Sequence, residues 1–473
     1  MPISTAAPLL RTVGRSVGRT PTASFRRFLA TPASPKTKVT TLINGLTIAT
    51  ENTPNAQTAT VGVWIDAGSR AESVANNGTA HFLEHLAFKG TASRSQEQLE
   101  LEIENLGAHL NAYTSRENTV YYAKSFKNDV PKSVEILSDI LQNSKLDGKA
   151  VERERSVILR ESEEVDKQYE EVVFDNLHAV AFQQQPLGRT ILGPKENILS
   201  IKRDDLSAYI AENYTSDRMV LAGAGAVDHD ELVALAEKHF GALKPSKSNL
   251  TIGSPRTAKP QFVGSEVRIR DDTLPFAHIA IAVEGVSWKS PDYYAGLVTQ
   301  AIIGNWDRTL GSGSQLGSKL SYMVSQNHLA NSFMSFSTSY SDTGLWGIYF
   351  VTENLTQIDD LVHFSLKEWC RLSTSVSEAE VERAKAQLKA SLLLSLDGTT
   401  AVAEDIGRQI VTTGRRVEAA QIEKIVDAIT VADVQAFAQK YIYDKDIAIA
   451  ALGSIEGLLD YNRIRNDMSS LRY

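Results

Sequence analysis

At 473 residues, 42% hydrophobic and 22% charged, the chain is too long for one ordinary core and too apolar to be disordered, so two or more folded domains are expected. The only cysteine, Cys370, excludes an intrachain disulfide and a cysteine-based zinc site, and no apolar run approaches the ~18–20 residues of a membrane span. The net charge of −8 hides an asymmetry: residues 1–50 carry seven basic and no acidic side chains, leaving 42 basic and 57 acidic residues in the rest, a balance that disfavours nucleic acid and favours cationic partners.

Residues 1–35 read as a mitochondrial presequence: arginines spaced along a Ser/Thr/Ala-rich stretch with no acid. Cleavage points are expected at Phe28/Leu29 or Pro35/Lys36. The folded body begins near Val39. Thr40 to Ile48 reads as a hairpin turning at Asn44-Gly45, and Thr60 to Asp66 as an alternating strand. A helix carries His81-Phe-Leu-Glu-His85, and a charged amphipathic helix spans Gln96 to Leu106. Ala108 to Thr114 and Thr119 to Ser125 read as strands, and Val130 to Leu141 as a helix. Asp147-Gly148 opens a single long helix expected to run to about Phe182. A helix at Leu206 to Tyr214 and a strand at Met219 to Val227 close the first half.

The Pro/Ser/Lys-rich segment 246–260 marks a linker between domains 39–245 and 261–473. The second half repeats the first. Ala150-Val-Glu-Arg-Glu-Arg is echoed 230 residues later by Glu380-Val-Glu-Arg-Ala-Lys, and Tyr214-Thr-Ser-Asp-Arg by Tyr441-Ile-Tyr-Asp-Lys. The fold class expected is α+β: two duplicated domains, each a mostly antiparallel sheet flanked by helices.

Two histidines four residues apart share a helix face and can offer two imidazoles to one metal ion. Glu84, three residues after His81, is close to that face. This is the inverted zinc-peptidase pattern H-x-x-E-H, absent from the second half. A catalytic zinc needs a third protein ligand. Stepping by three and four from Val151 reaches Glu154, Ile158, Glu161, Val165, Gln168, Val172, Asp175 and Ala179, a stripe apolar at alternate steps and so expected to face inward. Buried carboxylates need a metal or a cation, and Arg153, Arg155 and Arg160 are the nearby cations. Spacing does not choose between Glu154 and Glu161.

Gly-Thr-Ala-His-Phe-Leu-Glu-His-Leu-Ala-Phe-Lys-Gly-Thr (78–91), His-Leu-Asn-Ala-Tyr-Thr-Ser-Arg-Glu (109–117), Val-Ile-Leu-Arg-Glu (157–161), Ser-Tyr-Ser-Asp-Thr-Gly-Leu-Trp-Gly (339–347) and Asp-Tyr-Asn-Arg-Ile-Arg (460–465) resemble the pitrilysin-type zinc peptidases, over nearly the whole chain. That resemblance implies one Zn²⁺ held by His81, His85 and Glu161, with Glu84 as general base and Glu154 as a carboxylate behind the ligands. It implies that substrate is added as a β-strand along Asn111, Ala112 and Tyr113. It further implies that Glu171 and Asp175 receive an arginine two residues before the cut, and that Phe88 lines an aromatic pocket beyond it. His109 is assigned a packing or structural role rather than ligation. At offset 230, Glu154 and Glu161 fall on Ala384 and Ser391, so the second half is expected to lack the metal. The Arg…Tyr spacing that in many relatives stabilises the oxyanion is missing from Ser321 to Asn331, leaving Tyr322 and Tyr340 as candidates.

By the same resemblance, the substrates are basic presequences of proteins imported into the mitochondrial matrix. The partner is a related alpha subunit with a glycine-rich loop, forming a heterodimer. This chain has only Gly311 to Gly317 as a comparable loop. The alternative is a structural core subunit of respiratory complex III, on the matrix side of the inner membrane, a role that in some relatives coincides with peptidase activity. A broad scavenging oligopeptidase is the third reading.

Overall fold

The computed structural model describes residues 36–247, 251–254, 257–310 and 317–469. The presequence, parts of the linker and most of the Gly311–Gly317 loop lie outside the described residues. No described helix is long and apolar enough to cross a membrane.

Two six-stranded sheets repeat one plan. The first contains β1 (Lys38–Thr41), β2 (Thr47–Asn52), β3 (Thr58–Ile65), β4 (His109–Thr114), β5 (Thr119–Phe126) and β6 (Met219–Gly225), in the order β1-β2-β6-β3-β5-β4. The second contains β7 (Ser265–Arg270), β8 (Ala277–Glu284), β9 (Asn305–Asp307), β10 (Ser332–Ser339), β11 (Gly344–Thr352) and β12 (Ala448–Gly453), in the order β7-β12-β8-β11-β10-β9. Each sheet is antiparallel except for one parallel pair, β2 with β6 and β7 with β12. In both halves that pair joins a strand near the start to one that returns only after the helices, as parallel pairing demands. The sheets are therefore mixed.

The β1–β2 hairpin turns where Asn44-Gly45 predicts. Gly45 has φ +93°, and the Asn44 side chain accepts from Leu46 N. β3 is the strand read as alternating, yet every position from Ala59 to Ile65 is buried. Its alternation separates two cores rather than core from solvent. Val61, Val63 and Ile65 meet Val134 and Leu137 of the helix Val130–Asn143. Trp64 points the other way, among Val120, Val220, Ile406 and Ile410.

Ile406 and Ile410 belong to the second half, on the helix Thr399–Thr413. The exchange is reciprocal: the helix Tyr169–Ala181, from the first half, lays Val173, Leu177 and Ala181 on Ala280, Ala282, Ala448 and Ala450 of the second sheet. These two helices start 230 residues apart, so they are counterparts in the repeat. Polar contacts seat the exchanged helix on the first sheet: Thr60 Oγ1 lies 2.9 Å from Thr399 Oγ1, and Trp64 Nε1 donates to Glu404 Oε2 at 3.1 Å. Gly407 lies against the indole, where a β-carbon would stand 2.1 Å from Trp64 Cδ2.

The single long helix expected from Gly148 to Phe182 is two helices, Gly148–Val165 and Tyr169–Ala181, parted at Asp166–Gln168. Gln168 leaves helical conformation at φ −90°, ψ 85°. The break lets the second segment swing onto the other sheet. The inward stripe consequently holds through Ile158 and then fails: Gln168 and Ala179 are exposed, and the buried face of the second helix is Val173, Leu177, His178 and Ala181. Glu171 and Asp175 thus lie on a different helix from Glu161.

Candidate metal centre

The helix Thr79–Leu86 begins at Gly78, with φ +104°, a residue with no side chain to cap the first turn. The cap comes from Glu72 instead. Its carboxylate accepts from Gly78 N at 2.9 Å, Ala80 N at 2.7 Å and Asn77 Nδ2 at 2.7 Å. These donors include N–H groups that a helix start leaves unpaired. Glu72 is 5% exposed, and burial outweighs those donors to push its carboxyl up to about 7.

That helix presents His81 and His85 side by side, ring centroids 4.8 Å apart and planes inclined at 70°. Both direct Nε2 at Glu161 on the neighbouring helix Gly148–Val165: His81 Nε2 is 3.5 Å from Oε1, and His85 Nε2 is 3.0 Å from Oε2. Among the described residues, His81, His85 and Glu161 form a group whose donor atoms all lie within 4.8 Å of one another. The two imidazoles hold the Glu161 carboxyl far below the usual carboxylate range. Burial pulls the His85 imidazole down, but Glu161, Glu84 and Glu154 outweigh it and leave it raised. Glu154 stands behind His85, its Oε2 3.6 Å from Nδ1, while Oε1 meets Lys89 Nζ at 3.1 Å. Of the two acids that spacing left open, Glu161 faces both Nε2 atoms and Glu154 faces the far side of one ring. Glu84 is half-buried on the same helix as the two histidines, one turn after His81.

The other expected site residues separate. Phe88 lies just beyond the helix end, half-buried against the first core. β4 is the outermost strand of its sheet and, among the described residues, pairs only with β5 on its inner side, which leaves its far edge available for strand addition. Asn111 Oδ1 covers the Ala112 N–H at 2.8 Å, and the Tyr113 hydroxyl donates to Glu404 of the second half at 2.5 Å. His109, assigned a packing role, is exposed at the start of β4 and outside the metal group, because its strand is at the sheet edge. Tyr340 is buried with its hydroxyl 2.7 Å from His178 Nε2, so it is not presented to a reacting group, whereas Tyr322 is half exposed on the helix Lys319–Gln326. Asp175 already has a partner in the chain: Arg116 Nη2 donates to its Oδ1 at 2.6 Å.

Sequence reasoning missed Glu72, Lys89 and Arg116. An N-cap position, Gly78, that offers no side-chain acceptor was the available signal for the first. The other two contacts are made through folding and left no local trace.

The description "Insulinase (Peptidase family M16)" matches residues 47–195, and "Peptidase M16 inactive domain" matches residues 200–388. The chain belongs to peptidase family M16. It is a metallopeptidase of that family, its first half matching the peptidase domain and its second the inactive one. It is 70% identical over 444 residues to the mitochondrial-processing peptidase subunit beta of Lentinula edodes, covering 94% of this chain and 95% of that one. It is 68% identical over 448 residues to the protein of that name in Neurospora crassa, with 94% of each covered. With these relatives it is a mitochondrial protein. A solved structure, Complex III2 from Candida albicans with Inz-5 bound, contains a chain matched at a TM-score of 0.81 and 34% identity, covering 91% of this chain and 99% of that one.

The M16 family implies a divalent metal, and the residues present fit one. Two imidazole nitrogens and a carboxylate converge from two helices. Glu161 Oε2 has no hydrogen bond of good geometry despite lying 3.0 Å from His85 Nε2, as suits atoms aimed at a common point rather than at each other.

Proposed function

We infer that this chain is the catalytic beta subunit of a mitochondrial processing peptidase, a zinc endopeptidase that removes basic N-terminal presequences from imported proteins in the matrix. The observation that carries this reading is the convergence of His81, His85 and Glu161 beside Glu84, in a chain 70% identical to a protein of that name. Residues 39–245 form the catalytic domain, 246–260 the linker and 261–473 the domain without ligands, while residues 1–35 direct import.

His81, His85 and Glu161 would hold the zinc, with Glu154 orienting the His85 ring through Nδ1. When bound, the zinc would supply a Lewis acid to polarise the scissile carbonyl and acidify the attacking water. Glu84 takes the proton of the attacking water and passes it to the leaving amine. The substrate extends the sheet along the open edge of β4, past Asn111, Ala112 and Tyr113, at the cost of displacing the Asn111 side chain from Ala112 N–H. Glu171 and Asp175 receive the arginine two residues before the cut, and Phe88 lines the pocket beyond it. The related alpha subunit closes the chamber.

The test is co-expression with an alpha subunit. Cleavage of an arginine-containing presequence peptide is expected only with the partner, and is lost with a chelator and in Glu84→Gln. Activity surviving Glu84→Gln overturns the assignment. The match to a chain of a complex III structure favours a second reading, a core subunit of that complex. Co-migration with the respiratory complex on native gels tests it.

A further inference from the structure

The acidic pair read as the arginine receptor is not empty-handed. Glu171 and Asp175 are four residues apart on the helix Tyr169–Ala181, and like charges at that spacing repel. Glu171 is exposed, with no ion pair or hydrogen bond among the described residues. Asp175 is held by Arg116, whose side chain is 11% exposed against 30% for Asp175, so the guanidinium reaches the carboxylate from the buried side.

Arg116 is fixed from both directions. It sits in the turn Ser115–Asn118 that links the edge strand β4 to β5. Ser115 N donates to Asn118 O at 2.7 Å, and Arg70 N to the Arg116 carbonyl at 2.8 Å. The next residue, Glu117, accepts from Arg70 Nη1 at 2.7 Å and from Ser341 N at 2.9 Å, while Arg70 also pairs with Asp342 at 2.7 Å. The turn is thereby clamped between the two halves, so Arg116 reaches Asp175 from a fixed backbone.

We propose that Arg116 is a specificity-determining residue of this acidic pair: by holding Asp175 Oδ1 from beneath, it leaves one net negative charge shared by Glu171 and the outer edge of Asp175, an arrangement that selects a substrate guanidinium over an ammonium. This rests on the reading that the pair receives a substrate arginine. A guanidinium carries five donors in a planar fork and can serve two separated carboxylates at once; an ammonium is a compact point charge with three. Without Arg116 the pair carries two uncompensated charges and offers both oxygens of Asp175. Attraction then depends on charge more than on shape, and lysine competes.

The experiment uses the full chain with its alpha subunit and two presequence peptides that differ only in arginine or lysine two residues before the cut. Arg116→Gln is expected to reduce the arginine preference in kcat/KM on the order of tenfold, chiefly through a lower KM for the lysine peptide. Metal content is expected to stay unchanged. Arg116→Lys keeps the charge but loses the fork, and a fall in preference on the order of threefold is expected. It decides the question if the glutamine variant does not fold. An unchanged or larger preference overturns the proposal, as does an equal loss of kcat on both peptides, which would make Arg116 a structural residue. If the wild-type complex shows no arginine preference, the functional reading itself falls, and this proposal with it.

Discussion

The helices Gly148–Val165 and Glu378–Leu394 are the same element twice, sharing Val-Glu-Arg at 151–153 and 381–383 and differing in which acids they carry. In the first, Arg155 is buried, donates to the carbonyls of Ile198 and Ile201, and pairs with Glu152 at 3.0 Å. In the second, Lys385 is buried, donates to the carbonyls of Asp427 and Ile429, and pairs with Glu382 at 2.8 Å. Position for position, 230 residues apart, the structural cation and its partner are retained. The buried Glu154 has become the buried Ala384, and Glu161 has become the exposed Ser391. The counterpart of the His81 helix, Tyr293–Ile303, follows β8 and packs on Glu378–Leu394, and it carries no His, Asp or Glu. The buried cation that seats the helix is therefore kept in both halves, while His81, His85 and Glu161 have no such counterparts in the second.

The largest expected effect breaks the comparison on its catalytic side. Glu84→Gln should lower kcat by about 10²–10⁴-fold with bound zinc unchanged by atomic absorption. Glu154→Gln should weaken metal retention by about 10–100-fold in chelator competition, because the His85 ring loses its orienting partner. Arg155→Met and Lys385→Met each strand two buried carbonyls and should cost about 2–4 kcal/mol in denaturant unfolding. Only the first should also loosen the metal, since its helix carries Glu161. Gly407→Ala drives a methyl into Trp64 and should destabilise by about 1–3 kcal/mol, measured in the same way.

The last comparison concerns pH. Burial raises the Glu72 carboxyl to about 7, so the folded chain binds this proton more tightly than the unfolded one. The stability it contributes is present below about 4.5 and lost as pH rises through about 7. The second half holds the opposite case: burial opposes it, but Ser377 and Arg371 bring Glu380 down to about 2, so its contribution is present above about 4.5 and lost as pH falls toward 2. Thermal melts should show the difference between wild type and Glu72→Gln shifting against wild type from pH 4.5 to 7.5, while Glu380→Gln shows no such trend in that window.

Short-range signals made much of this legible. The Asn44-Gly45 turn, the helix Gln96–Leu106, the strand pair at 109–126 and the H-x-x-E-H motif are written in neighbouring residues, and the offset of 230 exposed the duplication. The third member of the His81–His85 group was only half legible: periodicity brought Glu154 and Glu161 forward together, and the family resemblance chose between them. The break at Asp166–Gln168 left no signal, because neither Pro nor Gly marks it and an unbroken charged helix has the same local propensities. The pull that creates it is the apolar face of the second sheet, more than a hundred residues away in sequence. Arg116 was invisible for the same reason, its partner Asp175 being distant in sequence, whereas Glu72 caps residues only 5 to 8 places along and had its one signal in the side-chain-less cap at Gly78. The burial of both faces of β3 also depends on a helix from the other half.

The exchanged helices have a consequence for how the chain is made. β3 is complete by Ile65, yet the residues that cover its Trp64 face, Ile406 and Ile410, come about 350 residues later. A chain that emerges amino end first completes this sheet only with β6 at Gly225, and its Trp64 face stays bare until the helix Thr399–Thr413 has followed. The first half therefore matures last, when the second half hands back its helix, and a product truncated before Thr399 would carry His81, His85 and Glu161 on helices beside a sheet that lacks its cover.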